Sequence, residues 1–340
     1  MREGHNPNKD SVISDIRFIH QIIIPVYIPN QQDYFKDAFR IFKKCLQSIF
    51  ETVALEETYI SIVNNGSCNE VENYLGALKE ENTIQELINT SNIGKLNAIY
   101  KGLIGHNFDL VTIADADTMF LSDWQQETIK VFNTFPKVGT VGIVPQFNMY
   151  SNFCTNVIFD NFFNKEMRFF KVEEPREMQK FYHSIGWNMK EDHYYLQYIL
   201  GVEKEGTKAC IGSSHFVTTY RKEVFNEIKK YVPAKMGNNS ERLLDVTAQN
   251  NGLWKLTTFK NYAYHMGNVY EDWMDEVKFQ QTQKKLEYNK FQLNQNSKLG
   301  FLVKNKFFKN VMRIKFFNDF YFKYKGLPKS ILAKYGKVYY

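Results

Sequence analysis

The chain has 340 residues, 44% of them hydrophobic and 24% charged, a globular composition with length enough for a substantial buried core. Its net charge of +6 is unevenly placed: residues 301–340 hold ten Lys/Arg against Asp319 alone, a net of +9, which leaves the first 300 residues at 6 − 9 = −3. The basicity therefore belongs to a tail, and no recognised nucleic-acid motif accompanies it. Four scattered cysteines (Cys45, Cys68, Cys154, Cys210) form no CxxC pair, which argues against a disulfide framework or a zinc site and fits a reducing cytosol. The start, MREGHNPNKDSVISD, lacks the apolar core of a signal peptide, and FIHQIIIPVYIP is too short and interrupted to span a bilayer. The expectation is a soluble or peripheral protein.

In chain order, FIHQIIIPVYI reads as a buried strand closed by Pro29 and Asn30. YFKDAFRIFKKCLQSIF places Phe35, Ala38, Phe42, Cys45, Leu46 and Ile49 at helical spacing. TYISIVNNGS is a second strand ending at an Asn-Gly turn, and CNEVENYLGALKE marks a helix through Val71, Tyr74, Leu75 and Leu78. A weak strand near IQELINT, a short helix over GKLNAIYKGLIG and the strand FDLVTIAD follow. SDWQQETIKVFNTF opens on a Ser-x-x-Gln capping box. From about residue 146 to 210 the pattern breaks down into aromatic and polar sequence. HFVTTYRKEVFNEIKKYV then restores a strand and helix, SERLLDVTAQNNG predicts a helix ending at Gly252, and LWKLTTFKNYAYHMGN a strand region.

Strand and helix alternating from about residue 20 to 135 predict an α/β fold, a mainly parallel sheet with helices on its faces. Ligands bind beyond the carboxyl ends of such strands. Tyr27, Asn65, Asn92, Asp115 and Asp117 each lie at or just past one, so one crevice is expected to collect them. Asp115 and Asp117 end a buried strand one residue apart, where two carboxylates raise each other's pKa unless a cation compensates. An Asp-x-Asp there supplies oxygen ligands for a hard divalent cation and leaves positions open for phosphate. The plain alternative is a solvated loop.

With IIIPVYIPN, VNNGSCNE, NIGKLNAIYKG and IADAD in order, the chain resembles a family 2 glycosyltransferase with the GT-A fold. The four ordered motifs cover roughly residues 20–125, and a looser match continues to about 268. The resemblance implies a nucleotide-diphosphate sugar donor, a UDP-sugar first, with Mg²⁺ or Mn²⁺ as cofactor. It implies that Pro25 and Tyr27 line the nucleobase and ribose slot, that Asn65 meets the base edge, and that Asn92, Lys95 and Asp115 complete the nucleotide-sugar site. Many relatives carry Asp at the turn that here reads Asn64-Asn65, which leaves the base identity open; an Asn offers both donor and acceptor. Turn-building for Asn65 and a surface position for Lys95 are the structural alternatives. His265 joins Asp115 and Asp117 as the implied third metal ligand.

Inverting transfer needs a carboxylate that takes the acceptor hydroxyl's proton. The family's acidic pair falls, counted back from Gly252, at Ser240-Glu241, so one acid remains. Asp245 lies one helical turn further on the same face. Glu241 is the first candidate base and Asp245 the second, the alternative being an acid that only complements the helix dipole.

The implied organisation is a flexible N-terminus (1–16), a nucleotide-sugar half (17–145), an acceptor half (146–270) and a C-terminal helical basic extension (271–340). The acceptor is expected to be a growing surface glycan, free or lipid-linked, made at the cytoplasmic face of a bacterial membrane. The tail's ten cations and twelve Phe/Tyr suit an anionic membrane surface, or a terminal helix packed on the body. Three other readings compete. An aspartyl-phosphatase motif needs Thr where Met119 stands, a sugar-nucleotide pyrophosphorylase needs a Gly-rich first loop that PVYIPNQQ lacks, and a degenerate binding module sits less well with the retained acids.

Overall fold

A computed structural model of the chain describes residues 4, 5, 9, 18–226, 231–237, 241–280, 285–292 and 297–335. The expected alternation forms as read: β1 (His20–Val26), α1 (Ala38–Thr52), β2 (Thr58–Asn64), α2 (Asn69–Glu80), β3 (Glu86–Asn89), α3 (Lys95–Leu103) and β4 (Leu110–Ala114). A short β5 (Thr118–Phe120), α4 (Trp124–Thr134) and β6 (Val138–Gly142) follow. The stretch that was unreadable in sequence holds α5 (Thr155–Asp160), β7 (Met167–Lys171), α6 (Pro175–Ser184), β8 (Tyr198–Lys204) and β9 (Thr207–Ile211). Then come β10 (Val217–Arg221), α7 (Arg242–Asn250), β11 (Trp254–Thr258) and β12 (Ala263–His265). Five helical pieces close the described chain: α8 (Trp273–Glu276), α9 (Lys298–Leu302), α10 (Phe308–Met312), α11 (Lys315–Tyr324) and α12 (Lys329–Tyr335).

One sheet of ten strands runs in the order β3-β2-β1-β4-β10-β6-β11-β9-β8-β7, and β12 pairs with β5 in a separate ribbon. β3, β2, β1 and β4 are mutually parallel, so their carboxyl ends lie on one edge. β10 enters antiparallel between β4 and β6. The strands that follow residue 145 thus extend the sheet formed by those before it. The β-branched run of β1 shows why it sits in the middle. Ile22 and Ile24 face a core built with α1, α2 and α4, while Ile23 faces a second core with α3 and α7. Gly102 of α3 makes that second contact close: a Cβ there would lie 3.0 Å from Ile23 Cγ2.

Two local expectations differ. The capping box at α4 does not form, because its side chains are taken by tertiary partners. Ser122 Oγ accepts from the Gln280 N–H, and Gln125 accepts from the Ala54 N–H and donates to His20 Nδ1 and Thr58 Oγ1. Asp123 caps instead, in the left-handed region at φ 64° and without a side-chain cap bond. After β10 only a turn at Lys222–Phe225 is described; the remainder of the helix expected there falls partly on 227–230, outside the described residues.

The tail resolves into short helices with a buried side. Tyr321 and Phe322 are fully buried and Met312 is as well, Phe322 stacking edge-on against Tyr150 and Phe169. Lys325 is buried too, donating to the carbonyls of Asn161 and Asn164, and burial pulls its pKa down to about 8. This is the packed-tail alternative, and it holds for one side of α11.

Candidate active site

The crevice forms at the carboxyl edge, with a volume of about 440 Å³. Pro25 and Tyr27 line it from the end of β1, Asn65 from the turn after β2, and Asn92 and Lys95 from the start of α3. Asp115 and Asp117 close it after β4. These side chains come from four chain segments, and parallel strand order alone puts them on one rim. The Tyr27 ring is 41% exposed, open to a flat ligand, and is held edge-on by Phe35 with centroids 6.0 Å apart.

Asn65 has work inside the protein. Its Oδ1 accepts from the Ile93 N–H at 2.9 Å, and its Nδ2 reaches Asn92 Oδ1 at 3.5 Å. Asn92 Oδ1 also accepts from the Gly94 N–H at 3.1 Å. The two asparagines thereby shape the turn that starts α3. Gly94 is required there: φ is +89° and a Cβ would meet Ala234 O at 2.7 Å. Asn97 is structural, bridging the Ile93 and Val232 backbones.

From the crevice a chain of alternating charges runs inward. Lys95 Nζ lies 2.6 Å from Asp115 Oδ1 and 2.9 Å from Glu241 Oε1. The other Glu241 oxygen is 3.2 Å from His215 Nε2, whose Nδ1 is 3.3 Å from Asp245 Oδ2. Asp245 Oδ1 in turn is 3.4 Å from Lys255 Nζ, on a side chain 2% exposed. His215 and Lys255 were not anticipated from the sequence; a lysine inside the strand pattern WKLTT is the one signal that could have drawn notice.

The electrostatics follow from this order. The hydrogen bond from His215 is the main reason the Glu241 carboxyl drops to about 2, Lys95 adding to it against burial. Burial would depress the His215 pKa, but Asp245 and Glu241 raise it to about 9, so the ring is an imidazolium at neutral pH. Burial likewise opposes ionisation of Asp245, yet His215 and Lys255 hold it below the usual carboxylate range. Lys95 is desolvated, and its two carboxylates still lift its pKa above the ordinary value.

Asp117 sits apart from this chain. Its Oδ2 is 3.4 Å from His265 Nε2, while its Oδ1 is buried with no hydrogen-bond partner. Burial raises its pKa, His265 opposing and the Asp115 charge adding. His265 Nδ1 contacts Ser184 Oγ at 3.1 Å and faces a neighbouring cavity of about 700 Å³ that shares Gly267 and Asn268 with the crevice. Among the described residues no three His, Cys, Asp or Glu side chains are arranged to hold a metal ion by themselves. Asp117 pairs with His265, whereas Asp115 pairs with Lys95.

A family model for glycosyl transferase family 2 matches residues 22–196, which contain the crevice side chains from Pro25 to Asp117. The chain belongs to glycosyl transferase family 2. Its sheet and helices are those of the GT-A fold, with a C-terminal helical extension added. No curated protein matches this family 2 chain. Similar solved structures include S. aureus TarS 1–349, at 12% identity and a TM-score of 0.41 over 73% of this chain and 60% of that one. The same TarS fragment in complex with UDP-GlcNAc is 13% identical, with a TM-score of 0.44 over 74% and 61%. The mannosyltransferase PcManGT from Pyrobaculum calidifontis, in complex with GDP-Man and Mn²⁺, is 14% identical, with a TM-score of 0.40 over 72% and 55%. The family 2 chain thus spans about 60% of the length of the TarS fragment.

Proposed function

We propose that the protein transfers a sugar, with inversion, from a nucleoside-diphosphate sugar to a glycan acceptor. The observation that carries this is the convergence of Tyr27, Lys95, Asp115 and Asp117 on one crevice, with Glu241 joined to it through Lys95. Tyr27 offers its ring to the base and Pro25 shapes the slot. Asn65, its oxygen engaged by the Ile93 N–H and one Nδ2 hydrogen directed at Asn92, offers its other Nδ2 hydrogen to a base carbonyl; a UDP-sugar is the first donor to test. Residues 17–145 then serve the donor and 146–270 the acceptor.

The donor set suits a divalent cation. The partnerless buried Oδ1 of Asp117 is an acceptor that such an ion would satisfy, and hard carboxylate oxygens match Mg²⁺ or Mn²⁺. Asp115 and Asp117 would hold it, with His265 beside Asp117, and when bound it supplies charge neutralisation for the departing diphosphate.

Glu241 accepts the proton of the acceptor hydroxyl while that oxygen bonds to the anomeric carbon; the bond from that carbon to the diphosphate oxygen breaks, and its electron pair leaves with the nucleotide. Held by two cations, Glu241 is a weak base before the donor arrives. Lys95 lines the crevice where a diphosphate would lie, and turning toward it would free Glu241 of one partner. Asp245 is deeper, 13% exposed against 24% for Glu241, and therefore second choice. The acceptor, a surface glycan or its lipid-linked precursor, is assigned to the cytoplasmic face of a bacterial membrane. A second reading, a nucleotide-sugar binding module, draws on the same ion-paired state of Glu241.

The test is a sugar-release assay beside a thermal-shift screen of UDP, GDP, dTDP and CMP with and without Mn²⁺. Glu241→Gln should keep nucleotide binding and lose about 10²- to 10⁴-fold in transfer. A collapse for Asp245→Asn with a near-normal Glu241→Gln would move the base one turn along α7. Nucleotide binding by a wild-type protein that releases no sugar to any acceptor would favour the binding module.

A further inference from the structure

We infer that the outward side of α11, with Phe163 beside it, docks on an anionic lipid bilayer. The sequence of the tail shows no single apolar stripe because α11 has two. One side, Asn318, Tyr321 and Phe322, is buried on the body. On the other, Phe316, Phe320 and Tyr324 recur at i, i+4 and i+8 and are 82%, 53% and 47% exposed. Phe320 and Tyr324 lie parallel with centroids 6.5 Å apart. Phe162 ties the loop after α5 into the same surface, 6.3 Å from Tyr324 and 5.0 Å from Phe163, which is itself 82% exposed.

Single exposed apolar residues need no explanation, but a contiguous aromatic surface does. Its charge setting selects the occupant. Lys323 is exposed on the same side, Lys315 lies at its start bound to Asp319 at 3.6 Å, and the tail as a whole carries +9. A second copy would set one basic tail against another, a like-charge contact. An anionic bilayer offers phosphates for the lysines and an acyl boundary for the rings, with the lysine stems reaching outward to the headgroups. No helix among the described residues is long and apolar enough to cross a membrane, and α11, about 15 Å long, would lie in its plane.

This inference does not depend on sugar transfer, since partitioning needs no substrate. The experiment floats full-length protein with vesicles of phosphatidylcholine alone or with about one-third phosphatidylglycerol. Wild type should float with the anionic vesicles, stay behind with neutral ones, and be released by about 0.5 M NaCl. The pair Phe316→Ser with Phe320→Ser should weaken partitioning at least about tenfold. Lys323→Glu alone should weaken it at least about fivefold. Melting curves should match wild type, because these side chains point away from the body. Equal flotation of wild type and the double variant would overturn the inference, as would wild type ignoring anionic vesicles. So would a wild-type dimer that the double variant turns into a monomer, which would make a second copy the occupant.

Discussion

Replacing His215 by Gln removes the cation that joins the two candidate bases, and its effect on stability should depend on pH in one direction. A histidine whose pKa is raised in the folded state stabilises fully below its unfolded value and loses that contribution as pH rises through the folded one. Here the values are 6.5 and about 9. At 1.36 kcal/mol for each pH unit the gap corresponds to about 3 kcal/mol. The side chain is 35% exposed, so solvent screening reduces this to about 1–2 kcal/mol. Urea unfolding followed by tryptophan fluorescence should therefore show His215→Gln less stable than wild type by that amount near pH 6, with the difference closing by about pH 10. Ring-proton NMR, assigned by the missing signal in the variant, should place the wild-type midpoint near 9. In Glu241→Gln, which leaves Asp245 as the ring's remaining carboxylate, the midpoint should fall by about one pH unit. A stability difference that is constant with pH, or a wild-type midpoint at the ordinary histidine value, would refute the bridging role.

Asp117→Asn should raise the melting temperature in the absence of metal, because burial disfavours the charged carboxylate, and should abolish any stabilisation by Mn²⁺ with UDP. A variant that still responds fully to Mn²⁺ would remove Asp117 from the metal site. Gly212→Ala should cost roughly 3 kcal/mol or more, since φ is +96° and the new Cβ would collide with the Met149 carbonyl. An unchanged melting temperature there would mean that the segment around Met149 yields easily.

Much of the first 135 residues was legible because the information there is local. Near-continuous apolar runs mark β1 and β2 as strands buried on both faces, and helical spacing in α1 and α2 states which helix face is buried. Once the strands are parallel, Pro25, Tyr27, Asn65 and Asp115 must share an edge, so the crevice follows from strand ends alone. The strands β7 to β9 were not legible, because their aromatic and polar residues carry no clean alternation; pairing with one another decides them. Likewise Ser122 and Gln125 spell a capping box, yet buried partners at Ala54, His20 and Thr58 outbid the helix end.

What the chain's order of residues determined by itself was the family, the strand ends and which acids stand near them. What the tertiary structure alone decided was how those acids are charged. Lys95 and Glu241 are 146 positions apart, and His215 and Asp245 are 30 apart. No periodicity relates such positions; they meet only because α3 and α7 pack on the sheet beside the segment that leads into its strand β10. The tail divides in the same way. Its basicity and aromatic content are sequence properties, but which rings of α11 are buried and which face outward depends on the body they pack against, and a pattern along one helix cannot contain that body.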